Sequence, residues 1–353
     1  MDIPETMRVA VYTRPGEIAV QERPVPAVAD HDVLLEVSHC GICGSDIHFV
    51  LEGWGHPGSI EGHEFSGRVA AVGSGVTRWQ VGDEVVGGPS PRCGECEFCL
   101  AGRPSLCLGR GAAGEGPGAD GAFAEFIRVS EDELLRLPPG LGLRAAALAE
   151  PLAVALHGLT RGGVQAGQRL LITGAGPIGA LSVAAARMRG VTDIVVSEPH
   201  AERRALAERL GAVAVDPSEL TSPPSPNSIV DEPFDVALEC SGNAKAMELA
   251  LGQLRRAGML VFVGAGMKAP RLDGNRILLN ELTVTGSFIY DADGFERALE
   301  MLSDPAFPAE ELIESVDVPL EGLLDALRGL VDGDLAAKVM IVPRLAAREG
   351  STR

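Results

Sequence analysis

The chain has 353 residues, enough for two or three domains with a sizeable buried core. Asp and Glu (49) outnumber Lys and Arg (30), and the resulting formal charge of −19 excludes a surface built for nucleic-acid phosphates or anionic lipid. No apolar run approaches the length of a membrane helix, and the N-terminus lacks the basic-then-apolar pattern of a secretion signal, so a cytoplasmic protein without membrane or nucleic-acid partners is expected.

The first 130 residues read as β-rich, with strands expected at 32–37 (DVLLEV), 65–73 and 83–88, each bounded by turn-forming residues. CGECEFCLAGRPSLC then places Cys93, Cys96, Cys99 and Cys107 with two, two and seven residues between them. In a reducing compartment such clustered cysteines are metal ligands rather than disulfides. Four thiolates form the closed tetrahedral set of a structural Zn²⁺. All four come from one stretch of chain, so the expected role of that ion is to fix an exposed loop.

After LPPGLG (137–142), a turn or linker, the texture changes. A strand at 168–174 leads to a helix at 177–189. A second strand at 193–198 leads to a helix at 200–211. Further apolar strands are expected at 234–242, 258–264 and 281–288, with helical segments between them. Apolar strands alternating with helices predict a parallel sheet. The Ser- and Pro-rich stretch 218–233 reads as an exposed loop. Two amphipathic helices near 293–303 and 320–331 precede a last strand at 338–343, and no internal repeat is present.

GAGPIG (Gly174, Ala175, Gly176, Pro177, Ile178, Gly179) lies between an apolar strand and a helix, and Glu198 closes the next strand. Gly174 permits the tight turn, Gly176 the approach of backbone to a pyrophosphate, and Gly179 the close packing of helix on strand. The helix N-terminus offers unpaired N–H groups to phosphates, and Pro177 suits a first helical turn. Glu198 can accept hydrogen bonds from a ribose diol and would repel a 2′-phosphate, which favours NAD. His200, Arg203 and Arg204 follow and keep NADP as the alternative.

A second metal-ligand set is dispersed over CGICGSDIH (40–48), EGHEFSG (61–67) and AEPLAVALHG (149–158). Together these segments offer thiolate, imidazole and carboxylate, the ligand mix of a catalytic zinc with an open fourth position. Cys40, Cys240 and His157 read as buried structural residues.

In order and spacing these segments resemble the zinc-containing medium-chain dehydrogenases of the alcohol, sorbitol, butanediol and threonine dehydrogenase group, over nearly the whole chain. The resemblance implies an α/β protein with a β-rich GroES-like catalytic domain drawn from both ends of the chain (1–150 and 288–353). The Rossmann domain, a doubly wound parallel sheet, would occupy 151–287. It implies two Zn²⁺ per chain, with Cys43, His63 and one carboxylate holding the catalytic ion. That carboxylate is either Glu64 or Glu150, with Glu150 slightly favoured. It implies that Asp46 hydrogen-bonds His63, and that Ser45, the nicotinamide ribose and His48 relay the hydroxyl proton outward. Trp54 and Phe123 are candidate pocket walls. The implied activity is hydride transfer between NAD and a secondary alcohol carrying a neighbouring hydroxyl or amino group, in a dimer or tetramer. Two alternatives stand beside this reading: a zinc-independent quinone or enoyl reductase of the same shape, and a non-enzymatic zinc-ribbon-like module. The first would lack the metal residues and the second the dinucleotide signature.

Overall fold

The computed structural model describes residues 3–88, 92–109 and 121–345. The N-terminal part contains β1 (Thr6–Arg14), β2 (Glu17–Pro24), β3 (Asp32–Gly41), β4 (Glu64–Val72), β5 (Glu84–Gly87), β6 (Phe126–Ser130) and β7 (Leu134–Arg136). Its helices are α1 (Gly44–Leu51), α2 (Glu97–Leu100), α3 (Leu143–Ala146) and α4 (Ala149–Arg161). The central part runs β8 (Arg169–Thr173), α5 (Pro177–Met188), β9 (Asp193–Ser197), α6 (Ala201–Arg209), β10 (Val213–Val215), β11 (Phe234–Glu239), α7 (Ala244–Gly252), β12 (Leu254–Phe262), α8 (Gly274–Asn280) and β13 (Thr283–Gly286). The chain closes with α9 (Gly294–Leu302), α10 (Leu323–Asp332) and β14 (Met340–Ile341).

β3 organises the first sheet. It pairs antiparallel with β4 and β6, and at its far end with β14. Its edges are thus paired, and because successive side chains point to opposite faces, the burial of consecutive Val33, Leu34 and Leu35 shows that both its faces are covered as well. Through β14 the end of the chain returns to the N-terminal sheet.

The second sheet is parallel, in the order β10-β9-β8-β11-β12-β13. The order reverses between β8 and β11, and ligands of such sheets bind beyond the carboxyl ends of the strands at that reversal. α4 packs between the two units against α5 and α9, with ten buried residues between Ala149 and Leu159. It begins at Ala149, so the expected division at residue 150 falls inside a helix rather than in a linker.

Three elements differ from expectation. β12 starts at Leu254 rather than 258, running through an irregular segment in which Ala257 has φ 58° and the pairing with β11 shifts register. The last strand shrinks to Met340–Ile341. The 218–233 loop is exposed over part of its length but anchored, because buried Arg276 and Asn280 donate to the Ser228 and Pro226 carbonyls.

The β8–α5 turn depends on its glycines unequally. A Cβ on Gly179 would lie 1.9 Å from the Gly174 carbonyl oxygen, whereas one on Gly176 would meet nothing within 4 Å. Gly179→Ala should therefore destabilise by about 2–4 kcal/mol and lower Tm by several degrees. Gly176→Ala should leave Tm nearly unchanged. Thermal melts of the two variants beside the parent protein check the contrast.

Candidate active site

β3 delivers the chain to Cys43, which is the N-cap of α1; its backbone N–H donates to Asp46 Oδ2 at 2.8 Å. That cap fixes the first turn and places Cys43, Ser45, Asp46 and His48 in one short segment. The β3–β4 register sets Gly41 opposite Glu64, and a Cβ at Gly41 would come within 2.2 Å of the Glu64 carboxylate. The missing side chain lets that carboxylate turn toward Cys43. As a result the ligand atoms of Cys43, His63 and Glu64 all lie within 4.8 Å of one another. Glu150, in the first turn of α4 and buried, stands beside this set and is not part of it.

The surroundings of the set are strongly charged and largely buried. Lys338 is fully buried and donates to Glu64 at 2.7 Å and to the Ile42 carbonyl at 2.9 Å. Burial raises Asp46 to about 6. Burial likewise raises Glu150 to about 7, the His63 charge offsetting only part of that. Burial alone would depress His63, but the Cys43 thiolate, with Asp46 and Glu150, outweighs it and holds the imidazole well above its ordinary value. Burial would depress Lys338 too, and the charge of Glu64 outweighs it. Asp46 Oδ1 and Ser45 Oγ are buried without a hydrogen-bond partner, while Glu64 Oε2 is ion-paired with Lys338 at 2.7 Å. A thiol, an imidazole and a carboxylate converging beside unsatisfied buried oxygens fit a Zn²⁺ of the catalytic type.

The expected hydrogen bond from Asp46 to His63 is corrected by the geometry. The two stand 3.8 Å apart through Oδ1, too far for a hydrogen bond, while the other Asp46 oxygen accepts from the Cys43 amide. Asp46 acts on His63 through charge. His48 pairs through Nδ1 with Glu52 at 2.8 Å and stacks on Trp54 with ring centroids 5.0 Å apart. Trp54 is exposed at the end of this segment, whereas Phe123 is a core residue packed against Gly62 and lines no open space. Cys40 is buried and His157 nearly so, with His157 3.5 Å from Asp291.

Cys93, Cys96, Cys99 and Cys107 gather with all four sulfurs within 4.8 Å, Cys93 lying 3.5 Å from Cys107 and 4.0 Å from Cys99. Four sulfurs at about 2.3 Å from one Zn²⁺ would be separated by about 3.8 Å, so the set fits a closed tetrahedral site. Backbone N–H groups of Cys99 and Leu108 lower the Cys96 thiol to about 6, which favours the thiolate a metal requires. The lobe is also anchored to the body of the protein, since Ser105 donates to Asp291 at 2.7 Å.

The glycine turn lies at the carboxyl end of β8. Gly174 has φ 88° and sits against Ser241 at the end of β11, Gly176 faces open space, and Pro177 opens α5 with Ile178 and Gly179 behind it. This leaves room for a pyrophosphate over the helix N-terminus. Glu198 is buried and bridges the turn, accepting from Ala175 N at 2.7 Å and from His200 N and Nδ1 at 3.0 and 2.7 Å. Arg203 does not face this crevice, contrary to expectation. Its guanidinium donates to the Leu330 and Leu335 carbonyls, satisfying groups left unpaired at the end of α10. Arg204 is held by the Glu198 and Pro199 carbonyls. A cavity of about 330 Å³ opens at the carboxyl ends of β12 and β13, lined among others by His157, Val263, Gly264, Ser287 and Phe288.

Two residues of this site escaped the sequence reading. Lys338 is a single lysine ahead of an apolar strand, and nothing local marks it as buried. Glu52 stands four residues after His48, the spacing of facing side chains on a helix, and that was the available signal.

Residues 29–139 match the alcohol dehydrogenase GroES-like domain family, and residues 177–304 match the zinc-binding dehydrogenase family. Over 350 residues the chain is 34% identical to the sorbitol dehydrogenase of Bacillus subtilis, covering 97% of this chain and 98% of that one. The solved 2R,3R-butanediol dehydrogenase of Bacillus subtilis superposes with a TM-score of 0.83 at 30% identity, covering 96% of this chain and all of the other. A zinc-binding dehydrogenase of Sinorhizobium meliloti, solved with NADP, superposes with a TM-score of 0.84 at 32% identity over the same shares. Two metal-competent clusters on a GroES-like unit joined to a dinucleotide-type parallel sheet, matched along almost the entire chain, place this protein in the family of zinc-binding dehydrogenases, oxidoreductases that act on CH–OH groups.

Proposed function

We propose that the chain is an NAD-dependent dehydrogenase of polyols or vicinal diols carrying two Zn²⁺ per chain, one at Cys43, His63 and Glu64 and one at the four-cysteine lobe. The observation that carries this reading is the convergence of Cys43, His63 and Glu64 within 4.8 Å, beside orphaned buried oxygens. The same convergence favours Glu64 over Glu150 as the third ligand. The two domains would be 1–150 with 288–353, and 151–287. Sorbitol and 2R,3R-butanediol, named for two of the relatives, share a secondary hydroxyl beside a second one, and that is the substrate class assigned here.

Bound Zn²⁺ supplies Lewis acidity that makes a substrate hydroxyl a stronger acid. The protein's own groups do the rest. Ser45 Oγ, buried and without a partner, would accept the hydroxyl proton as its own O–H proton leaves toward the nicotinamide ribose and His48, which releases it to solvent. A nicotinamide held beyond the glycine turn would supply the acceptor for the carbinol hydrogen and its electron pair. Lys338 donates to the Glu64 carboxylate and sets its charge against it. NAD is favoured over NADP because the Glu198 carboxylate would repel a 2′-phosphate, while Arg203 and Arg204 are committed to backbone carbonyls. A homo-oligomer is supported by β13, which forms an edge of the parallel sheet, with Leu278 and Leu279 of α8 exposed nearby. Thiolate ligands suit a reducing, cytoplasmic location.

The decisive experiment is NADH formation from sorbitol and 2R,3R-butanediol combined with a zinc count. The parent protein should hold two zinc ions per chain. Cys43→Ala should hold one, lose turnover and still bind NAD. A turning-over Cys43→Ala protein would overturn the assignment. Glu64→Gln should lose the same ion that Cys43→Ala loses, while Glu150→Gln should keep it.

With NADP⁺ in place of NAD⁺, kcat/KM should fall by at least about tenfold, a loss of about 1.4 kcal/mol in transition-state binding. Glu198→Ala should narrow that ratio, measured by steady-state kinetics with both cofactors.

Metal-free protein should lose stability as pH rises from about 4 to about 7. The folded state keeps protons on Asp46 (3.8 raised to about 6) and Glu150 (4.5 raised to about 7) that the unfolded chain releases, so the folded state binds more protons across that window. Zinc, which needs deprotonated ligands, should widen the gap in Tm between loaded and metal-free protein over the same range. Melting curves with and without a chelator decide it; a metal-free Tm that rises with pH there would contradict the analysis.

A further inference from the structure

α1 ends at Leu51, and Glu52 is its C-cap residue. One helical turn back lies His48, whose Nδ1 is 2.8 Å from the Glu52 carboxylate. An ionised carboxylate only accepts hydrogen bonds, so the hydrogen of this contact sits on Nδ1. The ring is held from a second direction. Gly53, with φ 81°, turns the chain so that Trp54 stacks on the imidazole at an interplanar angle of 22°, and Trp54 N donates to the His48 carbonyl at 3.3 Å. Nε2 has no partner among the described residues, and the side chain keeps 20% exposure. Ser45, with its orphaned hydroxyl, lies three residues earlier on the same helix, the spacing that puts two side chains on one face.

We propose that Glu52 is a positioning residue that holds His48 as the Nδ1–H tautomer, so that Nε2 is the bare base that takes the relayed proton. This rests on the relay assigned above to Ser45 and His48. The proton forms a bond to Nε2 as it leaves its donor, the ring becomes a cation whose charge faces the Glu52 carboxylate, and Nε2 then returns the proton to water. Nothing is oxidised or reduced in this step. An imidazole whose Nδ1–H is anchored to a carboxylate is fixed both in tautomer and in direction, the two properties a proton carrier needs. The pair is partly exposed, so its worth lies in that orientation rather than in stability.

The test reads the tautomer directly. In zinc-loaded protein with ¹⁵N-labelled histidine, and with His48→Asn to identify the signals, the parent His48 should show a protonated Nδ1 and a bare Nε2. Glu52→Ala should shift it toward the Nε2–H form and lower kcat for sorbitol or 2R,3R-butanediol oxidation about tenfold, with KM unchanged. Glu52→Gln, which keeps an oxygen to accept from Nδ1–H, should restore both the tautomer and most of the rate. An Nε2–H tautomer in the parent protein, a Glu52→Ala protein with parental kcat, or a Gln variant no better than Ala would each overturn the proposal. The tautomer is read without substrate, so silence toward every alcohol would count against the dehydrogenase reading and not against this pairing.

Discussion

Asp46, Glu64 and Glu150 are buried within one small region, and the fixed cation among them is Lys338. Buried carboxylates are strongly unfavourable unless their charge is met, so this pairing is the constraint around which the N-terminal unit is arranged. It explains why β14, only two residues long, must add to the end of β3. It also explains the glycine opposite Glu64, where any side chain would collide with the carboxylate. Lys338 offsets one negative charge and a divalent cation at Cys43, His63 and Glu64 would offset more. The site is thus electrostatically incomplete by construction, which is the state a metal centre requires of its protein.

The dinucleotide crevice follows a different rule. There the carboxylate of Glu198 is satisfied by N–H groups of the glycine turn and of His200 rather than by a lysine. Oriented dipoles hold one charge without bringing a compensating one, and the negative field remains for an incoming ligand to meet. α4 joins the two regions physically. Glu150 lies in its first turn beside the metal-competent cluster, and His157, about two turns on, lines the cavity at the ends of β12 and β13. Arg203 adds a second connection, from α6 to the carbonyls that close α10.

What could be read from the chain was local. The four-cysteine lobe and the glycine turn carry their chemistry in consecutive residues, and the β3, β8, β9 and β11 strands announce themselves by short apolar runs between turn residues. What could not be read depended on distance. Lys338 meets Glu64 across 274 positions, and no periodicity records such a meeting. Arg203 looked like a phosphate ligand because it follows Glu198, yet the nearest unpaired carbonyls belong to a helix more than a hundred residues away. The choice between Glu64 and Glu150 was open in the sequence because both acids sit beside plausible partners. Only the β3–β4 register brings one of them within reach of Cys43 and His63. The Asp46–His63 hydrogen bond failed on distance alone: Oδ2 caps α1, while Oδ1 faces His63 from 3.8 Å.

The lysine that meets the charge of Glu64 lies just ahead of β14, on the far side of the parallel sheet in sequence, and this has a temporal consequence. A ribosome delivers Cys43, His63 and Glu64 first, then the whole parallel sheet, and Lys338 only after it. The nascent N-terminal sheet must therefore wait, with its β3 edge unpaired and its buried acids uncompensated, while the intervening unit is made and folds. The surroundings of the cluster can be completed only after the parallel sheet has been made, and a chain cut between β13 and Lys338 would carry Cys43, His63 and Glu64 yet lack the lysine that pairs with Glu64.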